Sequence, residues 1–318
     1  MLDRRSLLLT GTAAASAGAL GLPALAKAPM LGAARPSYRR FAHGAFEVTT
    51  LLDGAVPSDG PAAAFGVGAA EGAPEALLAE NNLPTEAAEF TFMPVLVNTG
   101  DSLVLFDTGN GEGARPARGQ LAAQIAAAGY SADQIDRVVI THFHPDHIGG
   151  ILEGGVAAFP NADYAVGAVD YDFWNSEARV GTPAERIYQM VQALNPVIGE
   201  RMVMMNPGDS VAPGIEAMAA FGHTPGHMVY HIESDGARLV LTADTANHFV
   251  LALQRPDWGF TFDIDKEAAA ATRKEIFGML AADKVVFTGY HMPFPALGYV
   301  SAEGDGFVYE PVSYQLNL

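Results

Sequence analysis

The segment Thr141-His142-Phe143-His144-Pro145-Asp146-His147-Ile148-Gly149-Gly150 places three histidines and an aspartate within six residues. Imidazole and carboxylate are the side chains that bind zinc and related divalent ions. The apolar run Val138-Val139-Ile140 leads in and two glycines follow. That is the pattern of a buried strand that reaches a sheet edge and breaks into a loop. While the chain is still extended, residues i and i+2 point the same way, so His142 and His144 are set to grip one cation together. Pro145 then bends the chain, and Asp146 and His147 can face a second cation beside the first. Four such side chains would pack unfavourably unless positive charge sat among them.

Further ligand-type residues follow other strand-like runs. His223 sits in Gly222-His223-Thr224-Pro225-Gly226-His227, Asp244 ends Leu239-Val240-Leu241-Thr242-Ala243, and His291 follows Val285–Tyr290. Asp107, in Phe106-Asp107-Thr108-Gly109, has the same placement. Several strands ending at one rim would bring all of these together.

The combination His-x-His-x-Asp-His, a later single His, a single Asp and a final His resembles the metallo-β-lactamase superfamily over nearly all of the chain after residue 26. Asp172-Phe173-Trp174, Ala193-Leu194-Asn195-Pro196, Ala212-Pro213-Gly214-Ile215 and the stretch from Phe294-Pro295 to Val312 are most similar to its methyl parathion hydrolase and lactonase-like branch. The resemblance implies an α/β fold, an αββα sandwich of two mixed sheets with helices outside. It also implies a ligand partition. His142, His144 and His223 hold one metal, Asp146, His147 and His291 hold the other, and Asp244 bridges. Two metals so held acidify the water between them and supply hydroxide at neutral pH, with Asp146 and Asp244 as the catalytic carboxylates. Imidazole with oxygen donors favours two Zn²⁺, and Mn²⁺, Co²⁺ or Fe also suits. Asp107 is expected to accept an N–H from a ligating histidine and fix its tautomer.

Other residues are read from their surroundings. Phe143, Phe173, Trp174, Trp258 and Phe260 are expected to wall an apolar substrate pocket. His43, His227, His231 and His248 are read as structural, and Tyr290 as a core residue beside His291. No Arg or Lys lies near the metal loop in sequence, the nearest being Arg137 and Arg179. A small neutral substrate follows from that reading.

Composition narrows the partners. The chain has 318 residues, 18 Lys+Arg against 36 Asp+Glu, and a formal net charge of −18. A nucleic-acid enzyme needs a basic face to meet phosphate, so nucleic acid is excluded as a partner and an acidic membrane is disfavoured. There is no cysteine, which rules out a disulfide framework, a thiolate ligand and the β-lactamases that use one. Asp3-Arg4-Arg5-Ser6-Leu7-Leu8-Leu9 and the Ala/Leu/Gly-rich stretch to Ala26 read as a twin-arginine signal peptide over 1–26. Cleavage after Ala26 or Ala28 would release a periplasmic hydrolase domain, 27–318, not held at a membrane and compatible with a homodimer.

The elements that must position these groups alternate along the chain. Phe46–Leu52 reads as a first strand after a loose lead-in. Residues 54–90 form a cap or pocket wall with one helical piece, about Pro74–Asn81. Strands are expected at Phe92–Asn98, Ser102–Phe106, Arg137–Thr141, Asp163–Val166, Met202–Met205, Ile215–Ala220, Met228–Glu233, Arg238–Thr242 and Lys284–Phe287. A terminal pair follows at Tyr299-Val300 and Phe307–Tyr309, and Phe249–Leu253 is read as one more strand. Helices are expected within 116–129, at Val169–Ser176 and Pro183–Leu194, and at Lys266–Ala282, where Ala269, Ile276, Met279 and Leu280 give a 3.6-residue stripe. Periodicity alone does not separate this from other α/β layouts. The function expected is a lactone- or aryl-ester-cleaving metallohydrolase that also admits phosphotriesters. A β-lactamase-type amidase, a glyoxalase II-like thioesterase and a non-enzymatic metal-binding protein are the competing readings.

Overall fold

The computed structural model describes residues 30, 34 and 36–313. The Arg4-Arg5 pair and both cleavage sites lie outside the described residues. Every element below belongs to the contact unit Pro36–Leu318.

Two seven-stranded mixed sheets form the frame. The first runs Tyr38–His43, Phe46–Leu51, Val95–Asn98, Leu103–Phe106, Arg137–Ile140, Asp163–Gly167, Met202–Met205 in spatial order. Its last four strands pair in parallel. The second runs Ser210–Ala212, Ile215–Ala219, Met228–Ser234, Ala237–Ala243, Val286–Gly289, Leu297–Glu303, Gly306–Pro311, with one parallel pair, Ala237–Ala243 beside Val286–Gly289.

The apolar runs explain the layering. Val138, Val139 and Ile140 are all fully buried. Val139 joins Val48, Val97, Phe106, Ile215, Tyr230, Leu239 and Leu241 in the core between the sheets. Val138 and Ile140 face the other way, into a layer that the helices Leu121–Ala127 and Glu185–Ile198 complete. A strand covered on both faces needs a continuous apolar run, because period-two alternation would put polar groups against one cover. The second sheet is backed by Lys266–Asp283, whose Asp265 cap accepts from Ala268 N at 3.0 Å. The result is helix, sheet, sheet, helix. Among the described residues no helix is long and apolar enough to cross a membrane.

The structure departs from the sequence reading in three places. The lead-in contains a strand, Tyr38–His43, hydrogen-bonded to the second. Phe92 closes a separate hairpin, Gly54–Asp59 with Ala87–Phe92, because Pro94 interrupts the run before Val95–Asn98. Phe249–Leu253 forms no strand. Leu251–Gln254 is a helical turn packed against Phe65, Leu77 and Leu78 of the cap segment, and that tertiary cover outweighs β-propensity.

Candidate metal centre and its cavity

All the ligand-type residues lie just past the carboxyl ends of strands. His142–His147 follow Arg137–Ile140, Asp107 follows Leu103–Phe106, and Asp170 opens into a helix after Asp163–Gly167. From the second sheet come His223, Asp244 and His291. Two groups of convergent donor atoms result: His142, His144, His223 and Asp244, and beside them Asp146, His147 and His291. Asp244 faces both. Its Oδ2 lies 3.4 Å from His223 Nε2 and 3.1 Å from His291 Nε2, and its Oδ1 lies 3.3 Å from His147 Nε2.

The outer nitrogens of the rings fix the inner ones. His147 Nδ1 is 2.8 Å from Asp107 Oδ2, His223 Nδ1 is 2.8 Å from Asp263 Oδ1, and His291 Nδ1 is 2.7 Å from the Thr91 carbonyl. The Thr141 hydroxyl donates to Asp107 and so presents a lone pair to His142 Nδ1, 3.1 Å away. Each of these contacts takes the Nδ1 proton and leaves Nε2 as a bare lone pair turned inward. His142 Nε2, His147 Nε2 and Asp244 Oδ1 are buried without a hydrogen-bond partner. Bare imidazole nitrogens facing buried carboxylates repel unless cations lie between them. The donor set therefore fits divalent metals.

Against the cost of burial, the carboxylates draw positive charge onto His147 and His223, so that without metal a proton stands where a cation would. Burial pulls His223 down, but hydrogen bonds to Asp244 and Asp263 overcome it and hold the ring at about 9. His142 and His144 lie well below the usual imidazole range, through burial and then the neighbouring rings. Burial above all takes His227 down to about 3. This histidine has a positioning task the sequence did not disclose. Its Nδ1 donates to Ala220 O and its Nε2 accepts the backbone N–H of Asp244 at 3.1 Å, which sets the start of the loop that carries the shared carboxylate.

Four buried groups escaped the sequence reading. Asp170 accepts from Phe143 N at 2.8 Å and from Gly226 N at 3.0 Å, tying the first metal loop to the His223 loop. A Cβ at position 226 would overlap the Asp170 backbone. Asp263 is held by Arg273, itself fully buried and bonded to the carbonyls of Thr245, Pro256 and Trp258. Asn247 donates to Asp244 Oδ2 at 2.8 Å. Only their tertiary partners reveal these roles. Spacing to the metal motif would have flagged none of them.

A cavity of about 650 Å³ opens onto His144, Asp146, Asp244 and His291. Its walls correct the sequence expectation. Phe260 lines it, but Phe143 and Trp174 are fully buried in the helix-covered layer of the first sheet, Trp174 lying edge-on to His144. Phe173 packs on that layer beneath Arg179, and Trp258 packs in the cap cluster. The apolar walls are instead Phe90, Phe92, Phe260, Phe262, Ile187 and Met190. Phe90 stacks on His291 with ring centroids 3.9 Å apart. The cavity also contains Arg118 and Arg186, which overturns the expectation that no basic side chain stands near the metal ligands. Tyr290 is buried, and its hydroxyl donates to the Asp146 carbonyl at 2.6 Å.

A sequence model of the Metallo-beta-lactamase superfamily matches residues 94–289. A protein of Mycobacterium tuberculosis described as a probable metallo-hydrolase is 32% identical over 177 residues, 46% of this chain and 54% of that protein. The N-acyl homoserine lactonase of Bacillus thuringiensis is 25% identical over 166 residues, 51% of this chain and 58% of that protein. The chain thus spans little more than half the length of these curated relatives. Two solved structures superpose more fully. The dizinc quorum-quenching lactonase AidC, in complex with a product, has TM-score 0.79 and 28% identity and covers 87% of this chain and 98% of that one. The hydrolase AbOPH has TM-score 0.82 and 26% identity and covers 89% and 99%.

Proposed function

The chain belongs to the metallo-beta-lactamase superfamily, and from that premise we propose that it is a dinuclear-metal hydrolase that opens lactones and cleaves aryl esters. The observation that supports this best is the pair of ligand groups sharing Asp244, with buried nitrogens and a carboxylate oxygen that lack protein partners. In this reading His142, His144 and His223 hold one ion, Asp146, His147 and His291 the other, and Asp244 both. The donors favour Zn²⁺, with Mn²⁺, Co²⁺ or Fe as alternatives. When bound, such a pair supplies Lewis acidity and lowers the pKa of water in the site.

The protein's own groups do the rest. Asp107, Asp263 and the Thr91 carbonyl hold three rings in the tautomer that turns Nε2 inward. Asp146 and Asp244 are the carboxylates that open on the cavity, and we assign them the catalytic roles. Phe90, Phe92, Phe260 and Phe262 exclude water and receive an apolar acyl or aryl group. Tyr290 keeps its proton on the Asp146 carbonyl and is not the leaving group's acid.

The lactonase relatives and the cavity's size support lactones first. The Asp172-Phe173-Trp174 and Ala193–Pro196 segments favour the methyl parathion hydrolase and lactonase-like branch, with phosphotriesters as an extension. A carboxylate shared by both ligand groups argues against a β-lactamase-type amidase. The twin-arginine pattern supports action in the periplasm on a small molecule, away from nucleic acid and membrane.

Purified, zinc-loaded protein assayed with a lactone, an aryl ester, a phosphotriester and a β-lactam tests the reading. Lactone or aryl-ester turnover lost with chelator and about two metals per chain are expected. One tightly held metal in fully active protein would sink the dinuclear assignment, and turnover of the β-lactam alone would sink the substrate class.

A further inference from the structure

Among the described residues Arg118 has no partner that accounts for its charge. It lines the same cavity as Asp146, Asp244 and His291. Its Nε is buried without a hydrogen-bond acceptor, and among the described residues no acid lies within ion-pair reach. Its guanidinium carbon sits 5.7 Å from the centre of the Phe92 ring, a cation–π distance that orients the fork without using a donor.

The surrounding loop holds this arginine in place. Asp53 is fully buried and accepts four hydrogen bonds, from Asn110 N, Asn110 Nδ2, Gly119 N and Leu121 N, at 2.9–3.0 Å. Both its oxygens are committed to the loop backbone on either side of Arg118. Gly54 must be glycine here, since a Cβ would overlap Arg118 Cα. The same loop is clamped to the metal loop: a Cβ at Gly150 would overlap the Thr108 carbonyl, and one at Gly111 the Gly149 carbonyl. The loop's position is therefore tied to the metal ligands on one side and to the hairpin Gly54–Phe92 on the other.

Among the described residues the Nη groups of Arg118 make no protein hydrogen bond and, unlike Nε, are not buried, so they are the donors that open on the cavity, and a hydrogen bond to a charged acceptor there is worth more than one to a neutral group. A carboxylate matches the planar fork in a way a neutral carbonyl does not. We propose that Arg118 forms a carboxylate-binding subsite beside the metal ligands. The carboxylate has two chemical sources. It is either the acid released when an ester or lactone is hydrolysed, or a carboxylate carried on the substrate itself. The first source rests on the hydrolase reading above; the subsite does not. Either one departs from the small neutral substrate expected from the sequence.

Two measurements separate these cases. In the first, zinc-loaded protein is titrated calorimetrically with hexanoate and with hexanamide, as wild type, Arg118→Gln and Arg118→Lys, with metal content and thermal midpoint recorded for each. Wild type should favour hexanoate, and Arg118→Gln should lose about tenfold of that preference, the scale of a hydrogen bond to a charged group. Arg118→Lys keeps the charge and stem but not the fork and should lose about threefold. In the second, kcat/KM is compared for an aryl hexanoate and the aryl monoester of the six-carbon diacid. A fall of about tenfold in the diacid-to-monoacid ratio in Arg118→Gln assigns the carboxylate to the substrate. An unchanged ratio with weakened hexanoate binding assigns it to the product. Wild-type hexanoate preference and an unchanged kinetic ratio in both variants would overturn the subsite. If Arg118→Gln does not fold, the Lys variant decides on the same criteria. The titration needs no turnover, so an absence of hydrolysis would count against the proposed function alone.

Discussion

The metal loop, residues 141–150, and the cavity wall, residues 54–92 with 107–120, are built on opposite terms. In the loop the buried polar atoms that orient the ligands have named partners. Asp107, Asp170 and the Thr141 hydroxyl fix backbone and rings, and the atoms left over point at one another. The wall is held mainly by apolar contact and, on its 110–121 side, by the buried carboxylate of Asp53, which does not line the cavity. The first arrangement specifies chemistry and tolerates no substitution of type. The second specifies shape, and several residue types could serve at its apolar positions, though not at Gly54 or Gly111, where a Cβ would meet backbone.

Four measurements sharpen or break that contrast. The largest effect belongs to Asp244→Asn, which keeps the volume and removes the charge shared by both groups. Hydrolysis should fall by more than about 100-fold, since loss of a partner outside the ligands alone costs about 10–100-fold. Elemental analysis should find less than full metal occupancy, and normal turnover at full occupancy would make Asp244 structural. Next comes Trp174→Ala. Because the ring is buried in the core, the variant should lose about 3–5 kcal/mol of stability in denaturant titration. A raised KM with unchanged stability would return Trp174 to the pocket wall, where the sequence reading had it.

Asp263→Asn should weaken zinc binding by about 10–100-fold in chelator competition, because it removes the charge from the acceptor that holds His223 Nδ1–H. Unaltered zinc affinity would show that Arg273 and the helix behind it suffice to hold the ring. The smallest effect is expected from Phe262→Ala. Phe262 is 63% exposed and lines the cavity without belonging to the core. KM for an aryl ester should rise about threefold to tenfold with kcat near wild type, the scale of partial apolar burial. A loss confined to kcat would mean that the wall acts on the reaction and not on binding.

The same contrast decides what the sequence could disclose. His142, His144, Asp146 and His147 are legible because unlike chemistries crowd into six residues, and the strands before them because burial on both faces demands apolar runs. His223, Asp244 and His291 follow from the ends of similar runs. The αββα layering came from the family resemblance, since alternation of elements fits other α/β layouts equally well. Asp170, Asp263 and Arg273 stayed hidden because a buried charge far from its partner in sequence looks like any surface residue. Trp174 and Phe143 were misplaced for the complementary reason. An aromatic beside a metal ligand in sequence can face away from it, and both here turn into the layer under the helices. Arg118 lies 23 positions before the metal loop, and the clamp between the two loops is visible only in three dimensions.

The order in which the ligands occur along the chain has a consequence during synthesis. A ribosome delivers residues from the amino end, so the group of His142, His144, His223 and Asp244 is complete in sequence once Asp244 has emerged. The group of Asp146, His147 and His291 waits for a strand, Val286–Gly289, that must first insert beside Ala237–Ala243. On the dinuclear reading proposed above, a nascent chain halted between those points holds every donor for one ion and, with the shared Asp244, three of the four for the other. The two ligand groups are therefore completed at different times, the second only when the strand that leads to His291 has been made.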